Sequence, residues 1–315
     1  MSELERENWA QRVYEQLSKV IPKKANIVFL AGDKYRHYLQ QYFKIDGRKT
    51  IAPLSELGIG RQVAWLQKFA TEFVRVQDMD RFYSLVERIA STSGGIRNLG
   101  EIEGKVIPPR GIYFFWQSGE QRMSKPFEAR IVRIGTHAVS VGSKSTLWTR
   151  LRTHRGGENG SGNHRGSIFR LHVGQALIHK HGWNDRYSNW GIGQSATPEI
   201  RSEEFDLELE VSRLISDMPA LWLEVGDDAS PDSDRAYLER NLIALLSGPT
   251  GPIDLPSTNW LGQWSNRDAV KGSGLWNVNH VDEDYDRDSL NILEHYVEIA
   301  EGKSEVPPVL VPRAF

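Results

Sequence analysis

Gly111-Ile112-Tyr113-Phe114-Phe115-Trp116 and Ala129-Arg130-Ile131-Val132-Arg133-Ile134-Gly135 are the two runs on which the fold turns. Both are short and apolar, rich in aromatic or β-branched residues, and bounded by glycine or proline, as strands are. The polar stretch 117–128 between them predicts a hairpin with a long connection. Ala220-Leu221-Trp222-Leu223-Glu224-Val225 predicts a third strand. Around these, helical spacing predicts helices over 146–154, 167–180, 205–216, 232–246 and 288–300. Residues 249–264 read as irregular, and the proline-bearing tail 301–315 as loosely attached.

Upstream, apolar spacing predicts a helix over 3–20, a short buried strand over 26–32, a helix opened by Asp33, and a long helix over 60–89. Ser91-Thr92-Ser93-Gly94-Gly95 and Pro108-Pro109 mark breaks. The expected organisation is therefore a small α/β or helical accessory domain over 1–95 and an α+β domain over 109–300.

The chain has 315 residues, 39% apolar and 25% charged, and no cysteine. That composition fits a globular protein of one or two domains and excludes disulfides and thiolate metal sites. No run approaches the ~20 apolar residues that span a bilayer. The opening MSELERENWAQRVYEQL lacks the basic and apolar parts of a secretory signal, so a cytoplasmic protein is expected. The net charge of −2 hides an uneven distribution. Lys144, Arg150, Arg152, Arg155, Arg165 and Arg170 cluster against a single acid, Glu158, whereas Glu203, Glu204, Asp206, Glu208 and Glu210 form an acidic block soon after. A basic patch of that kind attracts phosphates even in a near-neutral protein; the plainer reading is solvated surface.

The residues that suggest chemistry are Tyr113, Arg133, Arg150, His154 and Glu239. A phenol can handle a proton, a guanidinium can hold phosphate oxygens, and a carboxylate can bind a hard cation. Arg150 and His154 share a helical face at i and i+4. Each has an ordinary alternative: packing for Tyr113, surface charge for Arg150, a helix-surface ion pair with Arg235 or Arg240 for Glu239. Asn163-His164-Arg165-Gly166-Ser167, leading into a helix, suits a DNA phosphate, and Arg170 and His172 extend that surface. Trp260, Trp264 and Trp276 are expected to pack together. Gly142-Ser143-Lys144-Ser145-Thr146 lacks the Gly-Lys pair of a phosphate loop.

In order, Gly111-Ile112-Tyr113, the Ile134-Gly135 strand end, the Arg150-x-x-x-His154 helix and Leu238-Glu239-Arg240-Asn241-Leu242-Ile243 resemble the GIY-YIG nuclease superfamily, over residues 109–300. The resemblance implies a small three-stranded antiparallel sheet flanked by helices, with the site on the sheet surface. It also implies a DNA-cleaving metal-dependent endonuclease, RNA not being excluded. In those terms Tyr113 would be the general base or orient the attacking water. Arg150 would stabilise the phosphoryl charge, and His154 would contact the phosphate or share the proton. Glu239 would hold Mg²⁺ or Mn²⁺. Lys144, Arg152, Arg155, His164, Arg165, Arg170 and Asn259 would contact nucleic acid. Arg133 stands where the second signature tyrosine is expected, which keeps alive a catalytically inactive nucleic-acid-binding or scaffold protein. The long hairpin and the long segment before Glu239 resemble the restriction-enzyme branch and imply a bacterial restriction or phage-defence setting. Residues 27–32, Tyr35, Pro53-Leu54 and 57–60 bear a slight resemblance to an uncharacterised bacterial family found beside DNA-processing enzymes. That likeness implies no activity; a partner-binding or substrate-gripping role, with a partner protein or a second copy, is expected for the first domain.

Overall fold

The computed structural model describes residues 59–125 and 127–305, together with residue 11 and the segments 27–28 and 50–51. The helices expected over 3–20 and 33–43 and most of the strand over 26–32 lie outside the described residues, as does the tail beyond 305. The chain divides into two compact units, Met1–Val74 and Arg75–Phe315. In the first, β1 (Ile27–Val28) pairs in parallel with β2 (Thr50–Ile51).

Helix α1 runs Ile59–Thr92. The division thus falls before the break expected at 95–109. The reason is visible in the packing: Met79, Phe82, Tyr83, Val86 and Ile89 are buried in the core of the second unit, so residues 75–92 belong to it.

The second unit is built on a four-stranded antiparallel sheet in the order β3-β6-β4-β5, with β3 Arg97–Asn98, β4 Gly111–Gln121, β5 Ala129–Gly135 and β6 Pro219–Glu224. The expected three strands are present and β3 adds a fourth on the outer edge of β6. Two residues are too few to leave an alternating pattern in sequence. β4 is the centre: Tyr113 lies between Gly135 and Trp222, and Phe114 between Ile134 and Leu221.

Alternation along β4 separates two cores. Ile112, Phe114 and Trp116 join Ile134, Leu221 and Leu223 on one face, under α1, α5 (Asp234–Ser247) and α7 (Asp288–Ala300). Tyr113, Phe115, Ala220 and Trp222 face the other way, under α2 (Leu147–Arg155), α3 (Ile168–His181) and α4 (Pro198–Ser216). Burial on both faces explains why β4 over 111–116 and β6 over 220–223 read as continuous apolar runs, while β5 is interrupted only by the buried Arg130 and Arg133. The short helix α6 (Asp268–Ser273) leads into Gly274–Asn277, which closes the free edge of β5. There Trp276 N–H donates to Val132 O at 2.7 Å, while Asn277 takes Ile134 N–H and gives a hydrogen bond to Ile134 O. Trp260 and Trp276 pack at 5.2 Å and both donate to Gln117 Oε1.

Candidate active site

Tyr113 Oη and His154 Nε2 are 2.9 Å apart, and His154 Nδ1 meets Ser167 Oγ at 2.8 Å. Three elements supply this chain of contacts: β4, α2 and the N-terminus of α3. Thr146 caps α2, its side chain accepting from Thr149 N–H, which fixes the helix phase and aims His154 at the sheet. Ser167 caps α3 and turns its hydroxyl to the imidazole. Gly135 faces the phenol so closely that a Cβ there would stand 2.2 Å from Tyr113 Oη. The glycine of the strand end is therefore the space in which the phenol sits.

His154 is fully buried, and burial, reinforced by Arg133, Arg150 and Arg170, holds its pKa well below the usual histidine range. A neutral imidazole bonded to a phenol is an available proton partner. Arg133 lies on the Tyr113 face over the Phe169 ring and donates from Nη1 to Trp276 O at 2.9 Å. The buried Nε atoms of Arg133 and Arg150 have no hydrogen-bond partner.

Glu239 reaches this group from the far side. Its helix α5 covers the face opposite Tyr113, through Leu238 and Leu242. Thr136, the residue after β5, donates its N–H to Glu239 Oε1 at 3.2 Å, so the carboxylate sits at the end of the strand and not over the sheet surface the resemblance implied. Burial raises its pKa, while Arg133, Thr136 N–H, His280 and Arg150 act in the opposite sense. Among the described residues no arginine pairs with it directly; the alternatives offered by sequence are engaged elsewhere, Arg235 with Asp227 and Arg240 with Glu283. A half-buried carboxylate with one backbone donor and no paired cation suits a hard metal ion that keeps several waters. Among the described residues no group of three or more His, Cys, Asp or Glu could form a fuller cage.

The expected nucleic-acid contacts divide sharply. Lys144 and Arg152 are exposed, and Arg155 stacks over Trp148 at 5.0 Å while donating to Ile102 O. Arg152, Thr153, Arg155 and the glycine-bearing loop 156–163 line an open depression of about 710 Å³. His164, Arg165 and Arg170 are instead part of the interior. Arg170 is fully buried against Glu208 and binds His154 O, bracing the end of α2. His164 donates from Nδ1 to Glu208 Oε1, accepts Gly191 N–H at Nε2 and stacks on Trp190. Arg165 forms a two-pronged bond to Glu204. None of the three offers a free donor to phosphate, correcting their expected surface placement. His172 is buried too, with neither ring nitrogen bonded. Asn259 is exposed; the asparagine at the end of β5 is Asn277. Ser167, Thr136 and Asn277 leave no spacing signal in the sequence, being a helix cap and two strand-end contacts.

An antiparallel α+β scaffold with a phenol–imidazole pair, flanking guanidiniums and a carboxylate at a strand end defines the class of protein. A family described as the GIY-YIG domain matches residues 73–303, and the chain belongs to that family, whose members are nucleases acting on DNA. Residues 1–68 match a family of unknown function, DUF6884. No curated protein and no solved structure gives a match. Among the described residues no helix is long and apolar enough to cross a membrane.

Proposed function

We propose that the protein is a metal-dependent DNA endonuclease, with the chemistry at the end of β5. The observation that carries this reading is the Tyr113–His154 bond beside unpaired Arg150 and Arg133 nitrogens, with Glu239 anchored next door on Thr136. Tyr113 takes or orients the proton of the attacking water, and neutral His154 receives it through the 2.9 Å bond. Arg150, at the rim, and Arg133 stabilise charge that builds on the phosphoryl oxygens. Glu239 holds Mg²⁺ or Mn²⁺, which when bound supplies positive charge at the departing oxygen. Tyr113 is only 1% exposed, so substrate entry has to part the rim for a water to meet its oxygen. Lys144, Arg152 and Arg155 with the adjoining depression grip the DNA backbone.

A restriction or phage-defence setting in the cytoplasm is the context we infer, from the likeness to the restriction branch; the accessory first unit would then contact a partner or a second copy. The test is cleavage of supercoiled plasmid with Mg²⁺ or Mn²⁺ by wild type, Tyr113→Phe and Glu239→Gln. Metal-dependent nicking lost in both variants, with DNA binding retained, supports the reading. Duplex binding without cleavage in any metal favours the inactive binding protein.

A further inference from the structure

The loop between β5 and α2 contributes no group to the proposed chemistry, yet its construction is specific. Its two stems are tied to one atom: His137 donates from Nε2 to Pro109 O at 3.1 Å, and Leu147 N–H donates to the same oxygen at 2.9 Å. Arg235 holds the carbonyl of His137 as well, at 2.7 Å. Ala138 then adopts a φ of 53°, left-handed for a residue with a side chain, and turns the chain out of the core. A turn closed by Ser143 N–H to Ser140 O and a left-handed Gly142 bring it back to Thr146, the cap of α2. The result is a compact surface loop with closely joined ends.

Its outer side carries two exposed valines. Val141 is 83% exposed and Val139 36%, with Ser140, Lys144 and Ser145 exposed beside them. A lone exposed valine needs no explanation, but here a tight turn in a pinned loop presents it, three residues after the left-handed Ala138. The location is informative too. Thr136, immediately before the first stem, holds Glu239; Arg150, one turn into α2, lies after the second. No acidic residue stands anywhere between Glu128 and Glu158, whereas Lys144, Arg150, Arg152 and Arg155 do. An apolar tip carrying Lys144 beside a phosphodiester site fits a DNA groove, the acids nearest its stem, Asp227 and Asp228, being engaged by Arg235 and Arg110.

We propose that loop 138–146 reads DNA beside the bond to be cut, Val141 pressing on nucleobases in a groove while Lys144 and the serine hydroxyls hold the flanking phosphates. The assignment rests on the DNA-cleaving reading and gives that site a specificity element. Apolar contact with base edges supplies sequence preference without counterion release, whereas the lysine supplies affinity without preference.

The test uses the full chain. Binding is measured by fluorescence anisotropy on a labelled random-sequence 30-bp duplex with Ca²⁺ in place of Mg²⁺, across a salt series. Cleavage preference is read by sequencing the ends cut from a random duplex pool with Mg²⁺. V141S is expected to weaken binding roughly fivefold, in line with loss of one apolar side-chain contact. Its salt slope should stay at the wild-type value and its base preference next to the cut should flatten. K144A is expected to reduce the salt slope by about 0.9, with base preference kept. Both should melt with the wild type, since Val141 and Lys144 are exposed. V141S with wild-type affinity and wild-type cut-site preference overturns the assignment. So does absence of duplex binding by the wild type. Duplex binding without cleavage overturns only the nuclease reading, and the affinity and slope of V141S then judge the loop.

Discussion

Tyr113 and Gly135 face each other across the β4–β5 pair so closely that only a residue without a side chain fits beside the phenol. Gly135→Ala has to push Tyr113 off His154 or open the strand end. We predict a folded protein with kcat reduced about 100-fold, a loss matching one proton-handling group. Wild-type turnover by this variant would show that the phenol position is not critical.

Tyr113→Phe leaves His154 Nε2 buried without its partner. The expected stability cost is about 1–3 kcal/mol, the desolvation of one orphaned group. Urea denaturation measures it, and a change below a few tenths would mean the pair is loosely formed.

Glu208 receives both Arg170 and His164 in a site with almost no solvent. Glu208→Gln strands a buried guanidinium, and a loss of about 3–5 kcal/mol is expected. Arg152→Ala, at an exposed position, should leave the melting temperature unchanged and lower the salt dependence of DNA binding. The reverse pattern would return Arg170 to the surface role its sequence suggests.

His137, His154 and His172 are buried with pKa values depressed below the ordinary 6.5, His137 and His172 to about 4. Burial is the main cause in each. A depressed histidine is neutral when folded and takes up a proton on unfolding, so the stability it contributes is complete above about pH 6.5 and is lost as pH falls towards 4. With all three acting, the unfolding free energy should fall by up to about 4 kcal/mol per pH unit near pH 5. A flat profile between pH 6.5 and 5 would contradict the neutral, buried state of these rings.

Much of this arrangement is legible in sequence because it is local. The apolar runs at 111–116 and 129–134 are strands, the helix with Arg150 and His154 begins at its Thr146 cap, and Asp288–Ala300 is the helix its spacing predicts. Long-range partners are what sequence hides. His164, Arg165 and Arg170 read as solvated charge because Glu204 and Glu208, one helical turn apart on α4, read as part of a separate acidic surface; the fold turns that pair inward to meet them. The end of α1 packs with the second unit although no glycine or proline marks Arg75, whereas Gly94-Gly95 looks like a boundary in sequence. Glu239 could be placed on a helix, but only the fold shows that this helix covers the face opposite Tyr113 while the carboxylate takes the N–H of Thr136 at the end of β5.

Mn²⁺ binding to wild type and Glu239→Gln, followed by titration calorimetry alongside plasmid nicking, tests whether these groups act together at the strand end. One Mn²⁺ bound by the wild type, no measurable binding and no nicking by Glu239→Gln, and duplex affinity retained in the variant are expected. Equal Mn²⁺ binding and equal nicking by the two proteins would contradict it.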